Sequence, residues 1–141
     1  MKSQEKGDKI MKISRSMLRE KAMIILYQID ICKERKMDYD IDFLIKANLE
    51  IDNEFVKEIV YGVTTYVDSL DEIANKNMSE WTIDRIDKTG AAILRMAIFE
   101  LKYTETPQIV IINEAIELAK KYSDDSVRKI INAVLDKQIK E

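Results

Sequence analysis

The sequence predicts an all-α fold, and three observations carry that expectation. Apolar residues recur at helical spacing through most of the chain. Three glycines and a single proline, Pro107, leave little material for hairpins and tight turns. The apolar fraction of 46% against 35% charged residues, over 141 residues, is enough for a proper core in one domain, or in two small halves sharing a core.

The elements follow in order. Residues 1–13 carry no helical period and read as a flexible basic arm, in which Met11 is an alternative start that would remove Lys2, Lys6 and Lys9. From Ser14 to about Cys32, Leu18, Ala22, Ile25, Leu26 and Ile29 lie on one face of a helix. A shorter helix covers Asp40 to Asn48, with Asp38, Asp40 and Asp42 at its positive end. The longest predicted helix runs from about Asn53 to Lys76, capped by Asp52, with Ile51 stapled to Val56. Gly62 sits beside its apolar stripe, which points to close approach of another helix. Ser79-Glu80-Trp81 is expected to open the second half as a short helical turn anchored by Trp81. A helix then runs from Asp87 to about Tyr103 and breaks at Thr106-Pro107, because proline disfavours helical geometry in the residue before it. Ile109-Val110-Ile111-Ile112 is locally strand-like, but Ala115, Ile116, Leu118 and Ala119 continue it at helical spacing, so a helix from Ile109 to Tyr122 is expected. A last helix covers about Asp125 to Lys140. Asn113, Glu114 and Asn132 read as polar groups hydrogen-bonded between helices.

Composition excludes several function classes. There is no histidine, which removes the commonest general base and transition-metal ligand and every Ser-His or Cys-His pair. Gly7, Gly62 and Gly90 are isolated, so no phosphate-cradling loop can be built. Asp38-x-Asp40-x-Asp42 begins like a calcium loop but has Phe43 at the sixth position and Leu49 at the twelfth, so the motif fails. The chain therefore reads as a non-enzyme without cofactor or metal. Cys32, the only cysteine, fits a buried thiol in a reducing compartment. No apolar run approaches a membrane span and no export signal is recognisable, so a cytoplasmic location is expected.

The net charge of −3 is unevenly spread: residues 1–21 carry a local +4 and residues 34–80 a local −7. A basic end on an acidic body suits a localised anionic partner, although a solvated tail has the same composition. Lys12, Arg15 and Arg19, at i, i+3 and i+7, form a cationic edge that Lys9 and Lys21 extend. Arg15 and Arg19 also border the apolar face, where they can snorkel. Tyr27 and Tyr122 are placed to stack on a base, to meet a protein, or to pack in the core.

Ile93-Leu94-Arg95-Met96-Ala97-Ile98-Phe99-Glu100-Leu101 resembles the LR-x-A-x-(Y/F)-E-L helix of the NusB family. Ile112 to Tyr122 resembles that family's INEAIELAK-x-(F/Y), and Ile131 to Lys137 its VNGVLDK. Arg19-Glu20 and Leu26-Tyr27 resemble its RE…A…LY opening, so order and spacing agree over about residues 14–137. The resemblance implies two small helical bundles, about 14–78 and 79–141, in one compact all-α domain. It implies a monomer or homodimer that binds boxA-type RNA jointly with NusE, a small-subunit ribosomal protein, and joins the RNA polymerase elongation complex during antitermination of ribosomal RNA operons. By that carry-over Arg15 and Arg19 match the RNA-binding segment, while Tyr27, Asp125 and Ser126 match the NusE-facing surface. With these, Lys9, Lys12, Lys21 and Tyr122 complete the candidate RNA contacts. The chain departs from the family pattern at Lys9 and Lys12 (arginines elsewhere), at Gly90 and Ser126 (acidic in some members) and at Ala133 (usually glycine). A helical interaction module or homo-oligomeric scaffold without RNA activity is the alternative. A targeting module, as in NusB-like domains fused to RNA cytosine methyltransferases, is a third reading.

Overall fold

The structure is a computed structural model that describes residues 13–140; the arm and its candidates Lys9 and Lys12 lie outside the described residues. Among the described residues there are seven α-helices, one 3-10 turn and no strand. The helices are α1 Arg15–Glu34, α2 Ile41–Asn48, α3 Glu54–Thr65, α4 Val67–Lys76, α5 Lys88–Tyr103, α6 Gln108–Tyr122 and α7 Asp125–Lys140, with the 3-10 turn at Ile83–Arg85.

Side-chain caps explain most of the starts. Ser14 accepts from the Met17 N–H at 3.2 Å and Asp40 from the Phe43 N–H at 3.3 Å. Asp87 accepts from the Gly90 N–H at 2.5 Å and Asp124 from the Val127 N–H at 2.9 Å. The cap of α3 is Asn53, accepting from the Val56 N–H at 3.0 Å, and not Asp52, whose carboxylate instead meets Lys57 at 2.5 Å.

Two boundaries differ from the sequence reading. The long helix expected over Asn53–Lys76 is two helices jointed at Tyr66. The Thr64 hydroxyl donates back to the Val60 carbonyl at 2.7 Å, a bond that bends helices, and the Ser69 hydroxyl donates to the Tyr66 carbonyl at 3.0 Å. The turn expected at Ser79-Glu80-Trp81 lies instead at Ile83–Arg85, and Trp81 is half-exposed and anchors nothing in the core. The link is held by polar contacts: the Ile83 N–H donates to Asn75 Oδ1 at 2.8 Å, and the buried Asn77 amide donates to the Ile73 carbonyl at 2.8 Å.

α5 is the central element. It touches α1, α3, α4, α6 and α7, and Gly90–Leu94 and Met96–Glu100 are buried nearly all round it. One cluster of buried apolar residues runs from Leu18 to Leu135 and draws on both the 14–78 and 79–141 stretches. Gly62 marks a close crossing: a Cβ there would lie 2.2 Å from the Phe99 ring of α5, so glycine leaves the room that ring occupies between α3 and α5. Asn113 and Asn132 are exposed and Cys32 is only half-buried, so none of the three fills the interior role read from the sequence. Each lies on the outer edge of an apolar stripe, where periodicity resolves burial poorly.

Candidate nucleic-acid interface

The cationic edge of α1 divides in two. Arg15 is exposed, with its guanidinium 4.3 Å from the centre of the Phe55 ring. Arg19, one turn further on, points inward and is buried. Its Nε donates to Glu100 Oε2 at 2.9 Å and its Nη2 to Glu100 Oε1 at 2.8 Å, a bidentate pair between α1 and α5. The expectation that Arg19 contacts phosphate directly is therefore corrected: Glu100 occupies its donor fork, and Phe55 lies 5.1 Å from the guanidinium carbon. A carboxylate inside the apolar run Ala97-Ile98-Phe99-Glu100 was the available sequence signal, since a buried carboxylate demands a cation.

Lys21, Lys120, Lys121 and Tyr122 are exposed around Glu20, where α1 faces α6. The Tyr122 hydroxyl and the Lys121 ammonium both donate to the Glu20 carboxylate, the latter at 3.0 Å. These two bonds hold the Glu20 carboxyl below its ordinary pKa, and the same carboxylate raises the Tyr122 phenol and the Lys121 ammonium above theirs. Beside them the Ser16 hydroxyl donates to Glu114 at 2.5 Å. Tyr122 is thus at the surface and fixed in place, and Tyr27 is likewise part-exposed. Seven residues apart, Glu20 and Tyr27 share one face of α1.

Asp125 and Ser126 are exposed in the first turn of α7. The Ser123 hydroxyl donates to Asp87 at 2.7 Å, fastening this turn to the start of α5. Gly90 lies buried beneath it, where a Cβ would come 2.5 Å from Val127 Cγ1. Arg95 is the element sequence reasoning missed: it reaches Asp30 on α1 at 2.7 Å and Asp71 on α4 at 2.6 Å. Burial opposes its charge, but the two carboxylates outweigh burial and raise its pKa. Arg95 therefore locks the three helices together.

Residues 16–140 match the model of the NusB family. The chain belongs to the NusB family. It is 40% identical over 134 residues to the transcription antitermination protein NusB of Clostridium botulinum (strain Alaska E43 / Type E3), covering 92% of this chain and all of that one. It is 39% identical over 124 residues to the NusB of Staphylococcus aureus (strain MRSA252), covering 87% of this chain and 96% of that one. The fold superposes on T. maritima NusB with a TM-score of 0.78 at 27% identity, covering 92% of this chain and 93% of that chain. It also superposes on a crystal structure of antitermination factors NusB and NusE in complex with dsRNA, at a TM-score of 0.75 and 27% identity, covering 89% and 96% of the two chains. The helix that carries the LR-x-A-x-(Y/F)-E-L motif is the central α5, and its glutamate and arginine are the residues that bind Arg19, Asp30 and Asp71. Among the described residues no helix is long and apolar enough to cross a membrane, and no three metal-ligating side chains cluster.

Proposed function

We propose that this protein is a transcription antitermination factor that binds boxA-type RNA of ribosomal RNA operons together with NusE and joins the RNA polymerase elongation complex, acting by binding rather than catalysis in the cytoplasm. The observation that carries the reading is its likeness, over nearly the whole chain, to the NusB of a NusB–NusE–dsRNA complex. Arg15, Lys21 and Tyr122 are the described residues assigned to RNA, with Lys9 and Lys12 from the preceding arm. Arg15 supplies a fork for phosphate, and the lysines add attraction that weakens with salt. Arg19 serves the same site indirectly: its pair with Glu100 fixes the start of α1. Tyr27 on α1, with Asp125 and Ser126 at the start of α7, are assigned to NusE.

The test is a titration of boxA RNA against scrambled RNA, with and without NusE, at several salt concentrations. Tighter binding of boxA, enhanced by NusE, supports the reading. R15A should weaken binding and reduce the salt slope by about one charge. No RNA binding under any condition, together with self-association in light scattering, would favour a homo-oligomeric scaffold.

A further inference from the structure

Tyr66, at the joint between α3 and α4, and Tyr103, the last residue of α5, stack on each other at the surface. Their ring centres are 4.6 Å apart and 14° from parallel, yet the residues remain 42% and 43% exposed. The buried Phe99 ring, 5.4 Å from Tyr103, braces the pair from inside, and the Lys102 ammonium lies 5.7 Å from the Tyr103 ring centre.

Tyr103, with Tyr66 stacked on it, lines an open groove of about 620 Å³ together with Arg15, Phe55, Glu58, Glu105 and Val110. This groove is continuous with Arg15, the residue assigned to phosphate. Its charges sort the ligand. Arg15 attracts phosphate at one part of the lining, whereas Glu58 and Glu105 repel it from the rest. A strand laid here keeps its backbone outward and turns its bases inward, onto aromatic faces. Carboxylates accept hydrogen bonds from exocyclic amino groups.

We propose that Tyr66 and Tyr103 form a stacking platform for unpaired bases of single-stranded RNA, reached along the groove from Arg15, with Glu58 and Glu105 favouring bases that carry an amino group. This rests on the RNA-binding reading above and adds to it a site for bases, where Arg15, Lys21 and the arm supply charge. Base–aromatic stacking is sequence-tolerant and independent of salt to first order, which separates it from the phosphate contacts.

The test uses a short oligoadenylate carrying 2-aminopurine, whose fluorescence falls when the base stacks. The full chain should quench it. Y66L and Y103L should each lose quenching and weaken binding about fivefold or more, with the salt slope unchanged. Y103F should retain both quenching and affinity, and R15A should lower affinity and slope while quenching persists at saturation. Oligouridylate should bind more weakly than oligoadenylate. Thermal melts of Y66L and Y103L report folding independently, and Y103F controls for ring removal. Wild-type quenching and affinity in folded Y66L and Y103L would overturn this proposal alone. Absence of RNA binding by the unaltered chain would overturn both it and the RNA reading.

Discussion

Arg19 and Glu100, 81 residues apart, form a bidentate ion pair in which the two side chains are only 3% and 2% exposed. The pair joins the first helix to the central one beside the half-buried Phe55, on which the exposed Arg15 also lies. Two charges withdrawn from water in this way hold only because the guanidinium fork matches the carboxylate.

Removing either partner alone leaves a buried charge unmatched, so R19M and E100L are each expected to lose about 3–5 kcal/mol of stability. The double variant R19M/E100L replaces both charges by apolar groups and should recover most of that loss. Urea unfolding of the four proteins measures it. A double variant as unstable as the sum of the singles would mean that the two charges are not coupled, and would overturn this account.

At the α3–α5 crossing, a methyl at position 62 would overlap the Phe99 ring, 2.2 Å away. G62A is expected to destabilise by about 1–3 kcal/mol through overpacking. In an F99L background, where the ring is gone, the same substitution should cost much less, because alanine is the better helix former. A double-mutant cycle from thermal or urea melts reads the coupling.

Lys36 is the only non-glycine described at positive φ, at 55°. It occupies the left-handed position after α1, where the Met37 N–H donates to the Cys32 carbonyl at 2.8 Å and the Lys36 N–H to the Lys33 carbonyl at 3.2 Å. That hydrogen-bond pattern closes a helix best on glycine. K36G should stabilise the fold by about 1 kcal/mol, and K36A should not. The midpoint of thermal unfolding distinguishes the two.

The Tyr61 hydroxyl donates to the Asp42 carboxylate, tying α3 to α2, and that bond raises the phenol pKa to about 12. The folded pKa exceeds the unfolded one of about 10. Its contribution to stability is thus complete below pH 10 and is lost as pH rises through 12. Ultraviolet titration of the tyrosinates should show one group ionising near pH 12, and D42N should bring it down toward the ordinary value. An unchanged alkaline titration curve in D42N would exclude the bond.

Helix identities were legible because apolar residues recur at helical spacing, and Ser14, Asp40 and Asp87, where the helices were expected to begin, prove to be their caps; the one cap named from sequence, Asp52, gives way to Asn53. The break at Tyr66 was not legible, since the hydrophobic stripe continues through it from Val63 to Leu70 and the cause is a hydroxyl bonding to its own backbone. The exposure of Trp81 was not legible, since size alone does not fix burial, and the neighbouring link is held by the Asn75 and Asn77 amides. In the candidate site, Arg15 and Lys21 are surface residues as read, the exposed face of α1 being visible from spacing, whereas Tyr122, for which spacing left core packing open, is exposed. The destination of Arg19 was not, because positions 15 and 19 are one turn apart and border the same apolar stripe. Nothing local says which of two such arginines turns inward.

By itself the sequence determined that the chain is a set of amphipathic helices with a basic start, an acidic middle and no histidine chemistry, since periodicity, composition and charge are local properties. The three linked motifs extended this to the family. Tertiary structure alone decided which charges are spent inside and which remain for a partner. Arg19 is consumed by Glu100 and Arg95 by Asp30 and Asp71, whereas Arg15 stays exposed over the Phe55 ring. It alone brought Tyr66 against Tyr103 across 37 residues of chain. Pairings of this kind depend on which helices cross and how closely, and that is set by the packing of α5 through Gly62 and Phe99, not by any residue's own preference.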